Sequence, residues 1–287
     1  MGASWPGCLR LVVLWGGTIA ALNVLAGSVP ALLAAVAGAG LAAWAILAGR
    51  KSLLTLLRAQ PADPLAWPGL WRIMNLVASR LEVPCPALHV SRDPVPWACT
   101  LSDLRDGPTV VASRGLVELL ETEELEAVLA HELAHVEARD AGWATFVASL
   151  ASAPQLMMKT WLFPGRSPAR GRTPSRRSGT LPTWARLMMG AGPALVVQLA
   201  LDRRLDLEAD RRAVVGCGNP MALASALARL EEAVSMAPSR PFPDATLHLF
   251  TLDPVSGPPD PVRELHRVWA STSERVGRLE ELAGNAP

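Results

Sequence analysis

Two apolar runs near the N-terminus constrain this chain more than any other feature. Residues 9–26 read LRLVVLWGGTIAALNVLA and residues 31–48 read ALLAAVAGAGLAAWAILA. Each matches the roughly 18–20 residues a helix needs to cross a bilayer, and Gly27 to Pro30 make an uncharged turn between them. A cleaved signal peptide is the competing reading of the first run. A second run follows at once with no A-x-A site between them, so the sequence predicts a transmembrane hairpin over residues 1–50. Arg10 near its start and Arg50, Lys51 and Arg58 near its end place both ends in the cytoplasm by the positive-inside rule. The chain is 50% hydrophobic and only 18% charged, below the roughly 25% usual in soluble domains.

Residues 51–140 read as the first part of a soluble domain. Apolar Leu70, Ile73, Leu76, Val77 and Leu81 recur at helical spacing within residues 65–81. PALHVS and PTVVAS are short β-prone runs bounded by Pro and polar residues, and predict two strands. Ser113 is placed to cap a helix over 114–120. Thr122 is placed to cap the next one, whose first turn carries Glu123, Glu124 and Glu126.

A second pair of apolar stretches, 141–163 and 181–201, flanks an Arg-, Pro-, Gly- and Ser-rich loop at 164–180. If both stretches span fully, the basic loop faces outward, against the positive-inside rule. A re-entrant hairpin keeps it cytoplasmic, and both arrangements stay open at this level. The loop reads as solvated chain rather than a headgroup site. Residues 202–287 are helical and soluble in character. The net charge of +1 gives no pull toward nucleic acid. Cys8, Cys85, Cys99 and Cys217 form no C-x-x-C pair and read as reduced, buried thiols. The chain has no tyrosine, which excludes a catalytic one.

Within VLAHELAHVEARD, residues 128–140, His131 and His135 stand four apart with Glu132 beside the first. On an α-helix that spacing aims both imidazoles at one point. Neutral imidazole is a good zinc ligand at about 2.0–2.1 Å. Glu132, rotated about 100° from His131, reaches a water beside the metal rather than the metal itself, which is the logic of the H-E-x-x-H metalloprotease motif. Zn²⁺ activates that water and Glu132 takes its proton as general base. A pair of ordinary core histidines is the alternative, and the motif in its apolar helical setting outweighs it.

A catalytic zinc takes three protein ligands, so a third must come from elsewhere. RRLDLEAD, residues 203–210, is the richest acidic candidate. Asp206 and Asp210 share a helix face, while Glu208 points away from it. One acid of that pair is suited to the metal and the other to supporting a ligand His. An ordinary charged juxtamembrane face is the alternative reading.

The stretch PTVVASRGLVELLETEELEAVLAHELAHVEARD closely resembles the core of the HtpX-type and CAAX-prenyl-protease-type integral-membrane zinc metallopeptidases. WRIMNLVASRLEVPCPALHV resembles the helix and strand that precede the motif there, and STSERVGRLEEL, residues 271–282, resembles the closing helix. The resemblance implies a mainly α, α+β zincin-like domain with a small sheet and membrane helices. It implies one Zn²⁺, peptide or protein substrates, and a multi-pass membrane protein with its active site in the cytoplasm. Aligned on the family's S-R-x-x-E-x-x-A-D pattern, Asp206 falls on the ligand glutamate, Asp210 on the supporting aspartate and Arg203 on the pattern's arginine. Val95, Pro96, Trp97 and Ala98 fall on the family's substrate-holding edge strand. Asp206 is one methylene shorter than the family's glutamate. The family's Asn is missing before Pro96, and its His-Pro appears as Trp269-Ala270. His248, His266 or Arg203 are the available polar replacements.

The resemblance implies a membrane-embedded zinc endopeptidase acting on membrane or misfolded proteins. A signalling protease of the BlaR/MecR kind shares the layout and a similar H-E-x-x-H-x-x-x-R-D run, but usually adds an extracellular sensor domain for which this chain has no room. A non-catalytic membrane scaffold retaining a structural zinc is the reading from a different class, motivated by Asp206 and Trp269.

Overall fold

A computed structural model describes residues 5–162, 193–202, 204–236, 242–255 and 270–284. Two long helices come first, α1 (Trp5–Ala26) and α2 (Ser28–Leu56), joined at Gly27, whose φ of 89° suits a residue without Cβ. Their mean hydropathies are 1.8 and 2.1, and almost none of either span is buried in the protein. Val24, Leu25, Val29, Leu32, Leu33 and Val36 are each more than 60% exposed. A band of that kind is covered by lipid rather than water, so the two helices associate the protein with a membrane. Helix α2 continues to Leu56, past the expected boundary at residue 50. The apolar stretch therefore continues as unbroken helix into the residues that pack against the sheet.

Where α2 leaves the apolar stretch, Arg50 is buried. Its guanidinium donates to Asp103 Oδ2 at 2.9 Å, to Thr109 Oγ1 at 2.7 Å and to Asp106. These partners belong to β3 (Ala98–Asp103), β4 (Gly107–Ser113) and the turn between them. Arg50 thus clamps the membrane helix to the sheet. Lys51, Arg58 and Arg10 remain exposed. Gly49 lies against α6 (Ala141–Leu162), where a Cβ would sit 2.3 Å from Ser149 Oγ. Near the start of α1, a Cβ on Gly7 would meet the Ala200 carbonyl at 2.2 Å. The N-terminal pair is therefore packed onto the elements that flank the His-Glu-His helix.

The sheet has four strands in the order β1-β2-β4-β3, with β1 (Ala59–Pro61) and β2 (Ala87–Ser91) antiparallel, β2 and β4 parallel, and β4 and β3 antiparallel. The two expected strands are β2 and β4; β1 and β3 have no comparable β-branched run. Strand side chains alternate between faces. Val110 and Ala112 join Leu88 and Val90 in the main core, beneath α3 (Pro68–Arg80), α5 (Thr122–Ala138) and α8 (Pro220–Met236). Val111 faces a second core with Cys99, Leu101, Leu53, Trp97 and Phe250.

Helix α4 (Arg114–Leu119) starts as expected, with Ser113 Oγ accepting from Leu116 N at 3.0 Å. The cap of α5 differs. Glu121, not Thr122, is the N-cap, and its capping box with Glu124 satisfies donors at both ends of the first turn. Glu124 also accepts from Ser225 and Arg229 of α8, which pins the start of α5. Helices α7 (Arg204–Cys217) and α9 (Thr272–Gly284) complete the domain. The thiols also depart from expectation. Only Cys99 is fully buried, Cys85 is exposed, and Cys8 and Cys217 are intermediate. The loop 164–180, most of the fourth apolar stretch, Arg203, His266 and Trp269 lie outside the described residues.

Candidate metal centre

Helix α5 carries His131, Glu132 and His135 into the interior. His131 and Glu132 are each 1% exposed. The two imidazole rings stand 5.0 Å apart at 84°. Helix α7 packs along α5 and brings Asp206 to the same point. One nitrogen from each histidine and one Asp206 oxygen all lie within 4.8 Å of one another. Ala213 of α7 shares a core with Ala127 and Ala130 of α5. Small side chains at that contact let the helix backbones approach closely, which suits a ligand one methylene shorter than glutamate.

Each imidazole has a carboxylate behind it. Asp210 Oδ1 lies 2.8 Å from His131 Nδ1, and Asp140 Oδ1 lies 3.1 Å from His135 Nδ1. Nδ1–H donation to a carboxylate fixes the ring and leaves Nε2 as the free lone pair. Asp140 reaches back because Arg139 takes the left-handed conformation, φ 58° and ψ 28°, and ends α5 in a sharp reversal. Burial disfavours the Asp210 anion, but the Arg275 guanidinium and the His131 contact outweigh it and hold its carboxyl well below the usual range. Arg275, 2% exposed, grips Asp210 with two bonds, Nε–Oδ2 at 2.7 Å and Nη2–Oδ1 at 2.6 Å. Burial would lower the His135 pKa, but Asp140 first, then Glu132 and Asp206, push it up to about 9. Burial pushes the Asp206 carboxyl up, against the pull of Arg275 and the two histidines. Acidic groups outnumber the cations available to them, so the cluster draws positive charge.

Two imidazole nitrogens and a carboxylate oxygen, each imidazole backed by a carboxylate, form a donor set suited to zinc with a position left for water or substrate. The residues fit a catalytic zinc. A cleft opens onto this point, lined by His135, Asp206, Ala144, Leu205 and His248. His248 Nε2 lies 3.2 Å from the Ala144 carbonyl.

The expected substrate strand is arranged differently. Strand β3 begins only at Ala98, while Val95, Pro96 and Trp97 are buried ahead of it. Trp97 packs edge-on against Phe242 and Phe250, and its indole N–H donates to Asp93 Oδ2 at 3.2 Å. The outer edge of β3 is used by the chain itself. Thr251 N donates to Ala98 O at 3.1 Å, Cys99 bridges to Phe250, and Ser102 N donates to Thr145 Oγ1 at 3.0 Å. Apolar aromatic packing, stronger than any preference for an exposed edge, draws this segment inward. Glu208 lies off the site, beside Arg211 and Arg212.

Four residues at the site escape a reading by spacing. Asp140 is only five positions from His135 and closes the H-E-x-x-H-x-x-x-R-D run, but the helix period does not place it behind that ring. Thr100 and Thr251 come from distant segments and carry no motif, and Arg275 lies in the closing STSERVGRLEEL helix, whose resemblance gave it no role at the site.

The family model for peptidase family M48 matches residues 67–283. A curated relative, the protease HtpX homolog of Salinibacter ruber (strain DSM 13855 / M31), is 30% identical over 278 residues, covering 96% of this chain and 95% of the relative. With the H-E-x-x-H helix, the α+β architecture and the apolar N-terminal pair, these matches establish that the chain belongs to peptidase family M48, a family of metallopeptidases.

Proposed function

We propose that this protein is a membrane-anchored, zinc-dependent endopeptidase that hydrolyses peptide bonds of membrane or misfolded proteins. The observation that carries the reading is the convergence of His131, His135 and Asp206 beside a buried Glu132. Zinc held by those three groups supplies Lewis acidity at the scissile carbonyl and at the attacking water. Asp210 and Asp140 keep the two rings in the tautomer that offers Nε2. Glu132 accepts a proton from the attacking water, then delivers it to the departing amide nitrogen. The cleft lined by His135, Leu205 and His248 is the entry for an extended peptide segment. The exposed basic residues Arg10, Lys51 and Arg58 support a cytoplasmic active site on a multi-pass chain.

The test is cleavage of unfolded casein by the purified full-length protein in detergent. Loss with a zinc chelator, recovery on zinc addition, and loss of about 10²-fold or more in Glu132→Gln are expected. Cleavage that Glu132→Gln leaves intact would remove Glu132 from the mechanism. Stoichiometric zinc with no cleavage of any unfolded protein would favour the scaffold reading instead.

A further inference from the structure

The general base proposed above has an unusual set of partners. Glu132 is buried, and both of its oxygens accept from threonine hydroxyls. Thr100 Oγ1 donates to Oε2 at 2.7 Å, and Thr251 Oγ1 donates to Oε1. Both threonines are themselves buried, at 4% and 5% exposure. The nearby cation, Arg275, is engaged elsewhere. It holds Asp210 and donates through Nη1 to the Thr251 carbonyl.

We infer that Thr100 and Thr251 are positioning residues that orient the Glu132 carboxylate for proton transfer. The inference rests on the general-base reading of Glu132. A carboxylate at the end of a flexible side chain must lie about 2.6–3.2 Å from the proton it takes, in one orientation. Two donors on opposite oxygens define the plane of the group. A carboxylate oxygen has two lone pairs, so each still has one to offer after accepting a hydroxyl. The two hydroxyls hold both oxygens in place through neutral donors. Threonine also has a branched Cβ and a stiff χ1, so a fixed backbone fixes the hydroxyl.

Both backbones are fixed. Thr100 lies in β3, paired with Val110 of β4. Thr251 is held at three points: its N–H on Ala98 O, the Cys99–Phe250 bridge beside it, and its carbonyl under Arg275. A continuous path follows, from His131 through Asp210 and Arg275 to Thr251 and back to Glu132. The residue proposed to hold the metal and the residue proposed to move the proton are thereby set in one frame.

The test uses full-length protein and two readouts. In the zinc-loaded protein, Thr251→Val removes the hydroxyl at nearly constant shape. The expected result is a fall in kcat of roughly tenfold or more with KM and zinc content unchanged, and Thr251→Ser within about threefold of the parent. Thr100→Val and Thr100→Ser should behave likewise. An unchanged kcat in both valine variants, or serine variants as slow as the valines, would overturn the inference. The second readout needs neither metal nor turnover. In metal-free protein, Thr251→Val should lower Tm by roughly 2–6 °C when Glu132 is present, and by much less in a Glu132→Ala background. Additive shifts would mean that Thr251 does not act through Glu132. A chain inactive at the outset leaves this thermal cycle decisive, so failure of the protease reading is distinguished from failure of the positioning.

Discussion

The carboxylate of Asp210 stands 2.8 Å from Nδ1 of His131, and both groups are almost entirely shut off from solvent. A buried anion placed behind an imidazole fixes its tautomer and strengthens the opposite nitrogen as a donor to a cation. Asp210→Asn keeps the shape and loses the charge. Zinc affinity should fall by about 10–100-fold, measured by competition with a coloured chelator. Unaltered affinity would mean that His131 needs no support from Asp210.

Asp206 is the only proposed ligand on α7. Asp206→Ala should take bound zinc from one per chain to near zero after gel filtration, measured by elemental analysis. Asp206→Glu restores the family's residue type in a contact shaped for a shorter one. It should keep zinc but bind it more weakly than the parent, because an extra methylene in a close-packed contact forces local shifts.

Arg275 neutralises Asp210 in a setting where an unpaired charge is costly. Arg275→Met should destabilise the domain by about 3–5 kcal/mol, the usual effect of breaking a buried pair from one side. Thermal or denaturant unfolding in detergent would register it. Arg275→Lys should recover only part of the loss, since a single ammonium cannot reproduce the two-bond grip and reach the Thr251 carbonyl as well.

The clamp between α2 and the β3–β4 turn has a pH signature. Burial pushes the Asp103 carboxyl up, but the backbone N–H groups of Asp106 and Arg105 and the Arg50 guanidinium outweigh it, so its pKa lies below the ordinary value. The unfolded value is about 3.9. The clamp's contribution is therefore fully present at neutral pH and fades as pH falls below about 4, through the lower folded value. Hydrogen exchange over residues 98–113, corrected for intrinsic rates, should show that turn loosening in acid. In Arg50→Gln it should already be loose at pH 7, with little further change on acidification. Equal acid sensitivity in both proteins would assign the effect to other carboxylates.

Much of this protein was determined locally. The apolar runs at 9–26 and 31–48 form two helices long and apolar enough to cross a membrane, a property of their length and composition alone. His131, Glu132 and His135 are readable because the helix period alone puts two imidazoles on one face. Asp206 and Asp210 are readable as a pair for the same reason, although selecting Asp206 as the ligand took the resemblance to relatives. Tertiary structure decided what no period encodes. It folded Val95–Trp97 into an aromatic core, because burying an indole outweighs leaving a strand edge open. It turned Arg50 from a topogenic charge into a clamp. It set Arg275, Thr100 and Thr251 around the His-Glu-His helix from segments 32 to 144 positions away from their partners. Spacing along a helix records which groups share a face; which distant donor satisfies a buried charge depends on how separate elements pack, and packing is a property of the whole fold.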